Sequence, residues 1–495
     1  MNQIKIGWGE VSLVPEGKKV NLVGQFYERI SDKVETPISV TALAIECGED
    51  QAIFCSCDLV SVSEAVVAGV RAALSDVPGF PTDKIIVSAI HTHTSLGYAH
   101  RSDSVKGSSL DVLREMLPDA KYEELVSYQG DDLLEGEPAF LFVVERIAAA
   151  AKAAWESRTA GAYATGFGRA AVGMCRRVCY HDGSAKMWGD TNEAAFTELE
   201  GGNDSGIELM FTYTPDKKLT GVVANVACPA QVLEHRSFIS SDYFGKVKGL
   251  LREKYGNDVY LLGIVSPAGD QCPRDLVRWV EPETPINDPN IVRPDVIERT
   301  ADPSMFDVKG CNLAARRIAT EIFWALEDVT DYVTETTLEH KKLAVDIPLR
   351  RVTPAEYQAA CRAIEEFKRE IGDGTINFAD NARMHVHAGT VARYQAQHTI
   401  DMNTIEVHVL RLGDIAFATN PYELFLDYGN QIRARSRAKQ TFLIQLCCGS
   451  WGYLPTEKAE RGSHYSAYVS SGTAGHEGGD VLVRKTLHEI NDMFR

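Results

Sequence analysis

A short apolar run that ends in two histidines constrains the fold of this chain more than any other stretch. Residues 85–90 (IIVSAI) are mostly branched and apolar, and His91-Thr92-His93 and a turn of small residues follow them. Such a run, bounded by turn signals, predicts a buried strand. Histidine binds metals and changes its charge near neutral pH. We therefore expect one histidine to bind a metal and the other to face substrate or transfer a proton. The alternative is a pair of structural histidines.

Apolar runs and amphipathic stretches alternate along the rest of the chain. Its 495 residues suffice for one very large domain or for two to three ordinary ones. No Gly/Ser linker, low-complexity segment or sequence repeat divides them. The intermixing predicts one α/β (or α+β) domain over residues 1–495, with helices flanking mixed β-sheets. The predicted strands are 38–46, 52–59, 85–90, 206–214, 219–227, 259–265, 404–412, 414–419 and 441–447. The predicted helices are 64–74, 139–157, 246–254, 312–326, 354–371 and 481–494.

The acidic composition excludes some classes of partner. The formal net charge is −18 and no block of Lys and Arg stands out, so nucleic acids and anionic membranes are repelled. No window reaches the roughly 18 apolar residues of a membrane span. The N-terminus lacks the features of a signal peptide, and 11 cysteines without such a signal indicate reduced thiols. We expect a cytoplasmic protein that acts on a small-molecule or otherwise soluble substrate. The sequence does not indicate an oligomeric state.

Three polar loops follow predicted strands, in the position where sites on sheets usually form. They are residues 227–242, residues 266–275, and residues 420–423 together with 451–453. A histidine, a glutamate and a tyrosine from such loops suit a catalytic zinc site that keeps one position open for water. Zinc lowers the pKa of that water and polarises a carbonyl group.

Several short segments resemble motifs of the neutral/alkaline (non-lysosomal) ceramidase family, in the family's order over most of the chain. His91-Thr92-His93-Thr94 resembles its His-Thr-His-Ser motif, and residues 239–242 (ISSD) resemble its Ser-Ser-Asp motif. The further matches are 269–273 (GDQCP) with Gly-Asp-x-Ser-Pro, 412–423 (LGDIAFATNPYE) with the "IG…PGE" segment, and 452–456 (GYLPT) with Gly-Tyr-Val-Thr-Thr, followed by Tyr465 at the later tyrosine. The chain therefore resembles the N-terminal catalytic domain of that family.

The resemblance implies roles for individual side chains. His93 would face substrate or transfer a proton, and Tyr465 would hydrogen-bond the developing oxyanion. Arg176 resembles an arginine of the family's Asn-Arg-Ser segment and would also stabilise the oxyanion, where charge placement contributes most to catalysis. The cofactor would be Zn²⁺, with another divalent metal as the alternative. The metal ligands implied at matching positions are His91, Glu423 and Tyr453.

Two departures from the family pattern affect the site. Counting back from Asp242 without gaps, Cys228 stands where the family has its second ligand histidine. Thiolate binds zinc well, so Cys228 is expected to be the fourth metal ligand, with Glu234 or His235 as alternatives. Cys272 stands at the family's serine, where it is either a nucleophile or a buried structural cysteine.

The function implied is a metal-dependent hydrolase, most simply of an amide (N-acyl) bond, that uses metal-bound water and an oxyanion pocket. The family's secreted ceramidases have a signal peptide and a C-terminal immunoglobulin-like domain, for which the chain shows no counterpart. This difference disfavours membrane ceramide as the substrate. One alternative is a carbohydrate-active hydrolase or lyase on the same scaffold, and another is a non-catalytic binding protein.

A few polar residues outside these segments have structural explanations. His385 and His387 form a second H-x-H pattern that we expect on a strand, with a substrate-loop role as the alternative. His464 and His476 lie near Tyr465 in the sequence and are expected to be structural or to line the pocket. Asp58 ends a predicted strand and is expected to cap a turn or to orient His91.

Overall fold

Three consecutive stretches of the chain repeat one order of main elements: three strands, a helix, a fourth strand and a second helix. The computed structural model describes residues 1–25, 27–99, 109–123, 128–191, 193–280, 300–301 and 307–495. The first unit comprises strands Asn2–Ser12, Ser39–Cys47, Asp50–Cys57 and Ile85–Ala89 and helices Glu64–Leu74 and Gly136–Glu156. The second comprises strands Ala162–Arg169, Gly206–Tyr213, Leu219–Val226 and Tyr260–Val265 and helices Asp242–Tyr255 and Asp307–Glu327. The third comprises strands Leu338–Pro348, Met402–Leu412, Ile415–Thr419 and Gln440–Ile444 and helices Leu426–Arg435 and His476–Met493.

Each unit has the same sheet topology. The first strand pairs antiparallel with the second, and the second pairs antiparallel with the third. The fourth strand returns through a helix and pairs parallel with the third. This repeat was not predicted, because matched strands share no residue pattern. For example, Ile85–Ala89 is IIVSA and Gln440–Ile444 is QTFLI. A buried position requires an apolar side chain of suitable volume and not one particular residue.

The three sheets pack against one another and share a central core. Phe54 of the first unit lies 5.1 Å from Phe417 of the third, centroid to centroid, and Phe417 stacks on Phe442 at 4.6 Å. Leu262 and Ile264 of the second unit belong to the same buried cluster. Each such side chain stabilises the fold by roughly 1.5–3 kcal/mol through burial. The helices of each unit cover the outer faces of its sheet.

The carboxyl ends of the fourth strands meet at the centre of the molecule. The backbone N–H of Ala89 donates to Leu446 O at 3.2 Å, and that of Gln445 donates to Val265 O at 3.1 Å. Ala230 N–H completes the junction by donating to the carbonyl of residue 90 at 3.1 Å. Ligands of sheet proteins bind outside the carboxyl ends of parallel strands. This junction is therefore where a site is expected.

Three further helices, Ser109–Met116, Pro354–Ile371 and Phe378–Ala396, form a separate helical cap with its own apolar core. Thr353, just before the helix Pro354–Ile371, accepts from Glu356 N–H in a capping box. The expectation that His385 and His387 lie on a strand is wrong, because both lie on Phe378–Ala396. Three apolar residues one turn apart bury the face of that helix: Met384, Ala388 and Val391.

Short elements connect these units. They are the helix Glu457–Gly462, the 3₁₀ turn Thr82–Lys84, and the strands Lys19–Asn21, Ile30–Ser31, Val34–Thr36, Lys121–Tyr122, Leu133–Leu134, Thr159–Ala160, Met174–Cys175, Arg177–Tyr180, Ala185–Met187, Phe196–Leu199, Ile239–Ser240, Gln271–Cys272, Trp279–Val280, Thr300–Ala301, Glu335–Thr336, Thr375–Ile376, Glu423–Leu424 and Tyr453–Leu454. Within the described ranges, no helix combines the length and the apolar character that a membrane crossing requires.

Candidate active site

The chain bends sharply after the strand Ile85–Ala89, and the bend places His91 at the central junction. His91 has a left-handed backbone, φ 67°, which costs a non-glycine residue roughly 1–2 kcal/mol. Its ring Nδ1 donates to the carbonyl oxygen of Val60 at 2.7 Å. Because a carbonyl only accepts, Nδ1 carries the proton and Nε2 presents a lone pair. His91 thus offers the site the atom that a metal needs.

His93 packs its ring against that of His91. The two Nε2 atoms are 3.3 Å apart, so His93 Nε2–H donates to the lone pair of His91. Burial, His91 and the cations Arg29 and Arg176 hold the pKa of His93 well below its ordinary value, which keeps the ring neutral at pH 7. The ring lies directly over Gly24, where a Cβ would come within 2.5 Å of Cγ and Nδ1.

The threonines on either side of His93 dock this strand end onto the second unit. The hydroxyls of Thr92 and Thr94 donate to the carbonyl oxygen of Ser240 at 2.8 and 2.9 Å. Ser240 N–H donates back to Thr94 O at 2.9 Å. Ser240 immediately precedes the start of the helix Asp242–Tyr255. Two segments that resemble family motifs are thus held together by three short hydrogen bonds.

Glu423 and Tyr453 reach the same site from the third unit. They lie on the short strands Glu423–Leu424 and Tyr453–Leu454, which pair in parallel with the two residues in register. The Glu423 carboxylate (Oε2) lies 3.5 Å from His91 Nε2. The structure therefore brings three of the predicted metal ligands to one region.

The segment 269–273 packs directly behind Glu423. Gly269 N–H donates to Leu424 O at 2.8 Å. A Cβ on Gly269 would lie 2.3 Å from the carbonyl oxygen of Glu423, and backbone atoms cannot move aside as a flexible side chain can. Only glycine permits this approach, which explains why a glycine is needed at this position.

Arg176 is buried beside these residues and connects them. Its Nη2 donates to Gly269 O at 2.9 Å and to the hydroxyl oxygen of Tyr453 at 3.4 Å. Burial alone would lower the pKa of Arg176, but Tyr453 and Glu423 raise it above its ordinary value. Its Nε has no hydrogen-bond partner among the residues that the structure describes. A permanent cation with a spare donor therefore borders the site.

Tyr465 completes this wall. Its ring meets that of Tyr453 edge-on, with centroids 5.5 Å apart. Burial, and then the Glu423 carboxylate, raises the pKa of both tyrosines. Both hydroxyls therefore carry their protons at neutral pH and act as hydrogen-bond donors.

The donor set of His91 Nε2, the Glu423 carboxylate and the Tyr453 hydroxyl fits a divalent metal. Nitrogen and oxygen donors suit zinc, and three protein ligands with one open position are typical of catalytic zinc sites. The Val60 carbonyl has already fixed the required tautomer of His91. Tyr453 is protonated here, and a bound cation would lower its pKa.

The two cysteines at the departures from the family pattern are protonated and face the backbone. Cys228 donates to the carbonyl oxygens of Val172 and Pro229 at 3.7 and 3.5 Å, and burial raises its pKa well above the ordinary value. Cys272 donates to Arg274 O at 3.3 Å, and burial raises its pKa to about 12. Thiolates, and not thiols, bind metals and act as nucleophiles.

The Cys228 thiol faces the backbone, and a separate cluster of potential ligand atoms lies elsewhere in the structure. Within the described parts of the chain, the group of three His, Cys, Asp or Glu side chains whose ligand atoms lie within 4.8 Å of one another is Glu406, His408 and Cys448. Neither His91 nor Cys228 belongs to this group, and the Cys228 thiol is turned toward Val172. This second cluster was not predicted, because Cys448 is remote in sequence from Glu406 and His408 on the strand Met402–Leu412.

Of the two alternatives to Cys228, Glu234 is the one that turns toward the histidines. Its Oε2 lies 3.8 Å from His93 Nδ1, and its Oε1 accepts from Arg274 at 3.3 Å. His235 is buried, and burial and then Arg274 lower its pKa to about 3. Glu234 thus gives His93 a carboxylate neighbour.

Arg29 holds several segments of the site together, a role that was not predicted. It is fully buried. Its Nη1 donates to the carbonyl oxygens of Glu234 and Arg236 at 2.7 and 2.8 Å, and its Nη2 to those of Val23 and His93 at 3.0 and 2.6 Å. One guanidinium therefore holds three separate segments around His93. No motif surrounds Arg29 in the sequence, so no local signal indicates this role.

The remaining histidines lie at or beyond the edge of the site. His385 of the helical cap lies 6.3 Å from the ring of Tyr465, centroid to centroid. His464 Nδ1 accepts a backbone N–H at 3.1 Å, and His476 Nδ1 bonds to Glu460 at 2.8 Å. These partners give His464 and His476 structural roles, which was one of the two expectations for them. Parts of the charged segment 101–137 and of the segment 279–303, which is rich in proline and aspartate, lie outside the described residues.

Comparisons with known proteins support the fold. No protein-family profile and no curated protein match the chain. The crystal structure of neutral ceramidase from Pseudomonas aeruginosa matches with a TM-score of 0.66 and 14% identity, over 99% of this chain and 74% of that chain. A structure described as ceramidase complexed with C2 matches with a TM-score of 0.65 and 13% identity, over 100% and 76%. The α/β fold is therefore neutral-ceramidase-like, as the resemblance predicted.

Proposed function

We propose that this neutral-ceramidase-like fold carries a metal-dependent hydrolase that cleaves an amide (N-acyl) bond in a soluble substrate. The proposal depends chiefly on the 3.5 Å approach of the Glu423 carboxylate to the lone pair of His91, at a strand-end junction bordered by Tyr453 and Arg176. The similar solved structures are both named ceramidases, which supports a hydrolase.

His91, Glu423 and Tyr453 would hold the metal, with zinc as the first choice. When bound, such a metal lowers the pKa of a water molecule and polarises the carbonyl group of the substrate. Cys228 is left out of this set because its thiol is protonated and donates to the backbone.

Two donors would stabilise the oxyanion that develops when the amide carbonyl is attacked. Arg176 is a permanent cation held in place by Gly269 and Tyr453. Tyr465 keeps its hydroxyl proton because burial raises its pKa. Donors fixed in advance where charge develops supply the largest single contribution in many enzymes.

His93 would move the protons. Its Nδ1 carries a lone pair that takes a proton from the attacking water, and Glu234, 3.8 Å away, then faces the resulting cation. Once His91 gives its lone pair to the metal, the Nε2–H of His93 would be free to protonate the leaving nitrogen, which breaks the amide bond. Burial keeps His93 neutral at the start of this cycle, as a general base requires.

A soluble substrate and a cytoplasmic location belong to the same proposal. The ion pair of Glu234 and Arg274 beside His93 suits a polar substrate group. All 11 cysteines are free thiols, which suits a reducing compartment.

Metal analysis and a substrate panel test the proposal together. We expect about one zinc or other divalent ion per purified chain, and hydrolysis of N-acyl amino acids and short-chain N-acyl amines. Glu423→Gln should lose the metal and the activity, whereas Glu457→Gln, on the surface of the helix Glu457–Gly462, should keep both. A metal-free wild type that cannot be loaded would overturn the proposal. Turnover of oligosaccharides or uronic-acid derivatives in place of N-acyl substrates would favour a carbohydrate-active enzyme.

A further inference from the structure

A buried cluster of charged and thiol side chains lies between the first and third units and shares no residue with the His91–Glu423 site. Glu406 and His408 project from the strand Met402–Leu412, and Arg71 of the first unit forms an ion pair with Glu406 at 2.6 Å. Cys448 lies beside His408 and is 3% exposed. The proposed function uses none of these residues.

Hydrogen-bond partners fix the protons on His408. His340 Nδ1 lies 2.9 Å from Gln51 O, which only accepts, so Nδ1 is the donor and Nε2 of the neutral ring is an acceptor. His408 Nδ1 lies 2.8 Å from that acceptor, and His408 Nε2 lies 2.8 Å from the Glu406 carboxylate. Both nitrogens of His408 must therefore donate. His408 is a buried imidazolium.

Charge balance then points to Cys448. Arg71 and His408 carry two positive charges, and Glu406 supplies one negative charge. An unbalanced buried charge is strongly unfavourable. A thiolate at Cys448 restores neutrality, and Cys447 stabilises it because its thiol donates to the Cys448 sulfur at 3.9 Å. The hydrogen bond from Cys447, and then His408, lowers the pKa of Cys448 to about 6.

Lys342 and the neighbouring thiols of the first unit do not change this balance. Lys342 lies 3.7 Å from Glu406 but is already paired with Asp83 at 2.6 Å. Burial keeps the thiols of Cys55 and Cys57 protonated by raising their pKa. The single anionic sulfur of the cluster is therefore that of residue 448.

The same partners argue against a metal at this cluster. A metal needs a lone pair on His408, but both of its nitrogens carry protons. It would also have to compete with the Arg71 guanidinium, which already pairs with both oxygens of Glu406, at 2.8 and 2.6 Å. The side chains of this ion pair are 19% and 20% exposed, so a small molecule can approach the cluster from that side.

We propose that Cys448 is a reactive thiolate which, together with Cys447, forms a site of reversible oxidation by hydroperoxides. The Cys448 thiolate attacks one oxygen of hydrogen peroxide, the O–O bond breaks, hydroxide leaves, and the sulfur becomes a sulfenic acid. Cys447 then attacks this sulfur after giving up its proton, and the sulfenic oxygen leaves as water. Two thiols and one peroxide thus yield one disulfide and two waters.

The disulfide formed would be readily reduced. Neighbouring residues have Cα atoms about 3.8 Å apart, closer than the usual separation in disulfides. Strained disulfides have the higher reduction potentials of labile, regulatory bonds. A thiol such as dithiothreitol should therefore restore Cys447 and Cys448.

The test oxidises the intact protein with stepwise hydrogen peroxide, denatures it, alkylates the remaining thiols and maps them by mass spectrometry. We expect residues 447 and 448 to escape alkylation first, reversibly with dithiothreitol, while the more exposed Cys179 and Cys361 are still alkylated. Oxidation of Cys179 or Cys361 first, or no loss of alkylation at residue 448, would overturn the proposal.

Variants separate the two steps. Cys447→Ser should leave a sulfenic acid at residue 448 that dimedone traps, and Cys448→Ser should abolish oxidation of Cys447. His408→Gln should slow the reaction at least tenfold. Should His408→Gln fail to fold, the pH profile of iodoacetamide labelling in the wild type decides: Cys448 labelling should persist near pH 6, where an ordinary thiol is protonated. If the labelling of Cys448 instead falls below pH 8 together with that of Cys179 and Cys361, the proposal is contradicted.

Discussion

The properties of the site begin with the conformation of one residue. Because His91 is left-handed, its ring turns back over the strand end, bonds to Val60 and meets both His93 and Glu423. An extended backbone at this position would send the chain on along the sheet. Backbone strain of this kind often marks functional sites, and here it accompanies the turn of the His91 ring toward His93 and Glu423.

Gly24 is the residue that leaves room for His93, and it provides a sharp test. Gly24→Ala should reduce kcat/KM by roughly 100-fold, because a Cβ 2.5 Å from the imidazole displaces the proton-transfer group. Gly79→Ala is the matched control, since Gly79 is also left-handed but has no atom within 4 Å of its Cβ position. Steady-state kinetics on both variants are the measurement. Equal activities would show that the position of His93 does not matter.

Arg176 should act in the transition state more than in binding. Arg176→Lys removes the planar donor set that reaches both Gly269 and Tyr453. We expect kcat to fall by roughly 10²–10³-fold with little change in KM. Arg461→Lys, at a side chain that is 76% exposed, is the control. A rise in KM at constant kcat would instead assign Arg176 to substrate binding.

At the scale of elements, the strand ends determine which residues meet. The carboxyl ends of Ile85–Ala89 and Tyr260–Val265 lead to segments 91–94 and 269–273, and the next polar loops of the third unit supply Glu423 and Tyr453. Hydrogen bonds between the strand ends fix these loops relative to one another. The site is therefore as rigid as the sheets that carry it.

Asp58 links two of these elements and should make stability depend on pH. Its carboxylate accepts from the N–H and hydroxyl of Ser39 at 2.7 and 3.2 Å and does not contact His91, contrary to one expectation. Burial raises its pKa from 3.8 to about 6, although Lys248 acts in the opposite direction. The folded state thus binds more protons between these pH values, so the stabilisation is complete below pH 3.8 and is lost as the pH rises through about 6.

Urea unfolding between pH 4 and 7 measures this contribution of Asp58. Over that range the wild type should lose about 2 kcal/mol of unfolding free energy relative to Asp58→Asn, which cannot titrate. Asp258→Asn, at a side chain that is 88% exposed, is the control and should follow the wild type. Parallel pH profiles for the wild type and Asp58→Asn would contradict the pKa shift.

Local patterns predicted much of the fold but not its edges. The helices Glu64–Leu74 and Pro354–Ile371 begin and end as predicted, because capping residues and apolar periodicity define them. The first strand of every unit was missed: Asn2–Ser12, Ala162–Arg169 and Leu338–Pro348. These strands lie at or near sheet edges and carry glycines or charges, which weaken the strand signal.

Site residues could be predicted only where they lie in a short recognisable motif. His91, His93, Glu423, Tyr453 and Tyr465 lie in segments whose order along the chain indicated a shared site, and the structure places them together. Arg29 and the Cys448 cluster were invisible in the sequence, because long-range packing and backbone carbonyls create them. The orientation of Cys228 likewise depends on which carbonyl lies nearest, and no local pattern records that.

At the scale of the whole molecule, the proposed metal would connect separate units. His91 belongs to the first unit, whereas Glu423 and Tyr453 lie in the third. Each unit alone lacks a complete donor set. Both the proposed site and its contribution to stability therefore depend on the assembled chain.

Metal removal tests this link. Zinc added to the chelator-treated protein should raise the thermal midpoint by several degrees, since a ligand at 100 times its Kd stabilises the folded state by about 2.7 kcal/mol. Tyr453→Phe should lose most of this increase. Tyr357→Phe, in the helical cap, should retain it. Scanning calorimetry with and without zinc is the measurement, and an equal increase in both variants would exclude Tyr453 as a ligand.

The threefold repetition of one unit also has an evolutionary consequence. The parallel ladders place Ala89 of the first unit and Ile444 of the third at matching positions. Two residues further on, His91 and Leu446 share the left-handed backbone, at φ 67° and 51°. Duplication of an ancestral unit would explain why the first and third units share this bend at their strand ends while their residues differ. One copy would then have acquired imidazoles, and another would have acquired a pair of thiols. The bend at Leu446 therefore offers protein engineers a position at which a second active centre could be built.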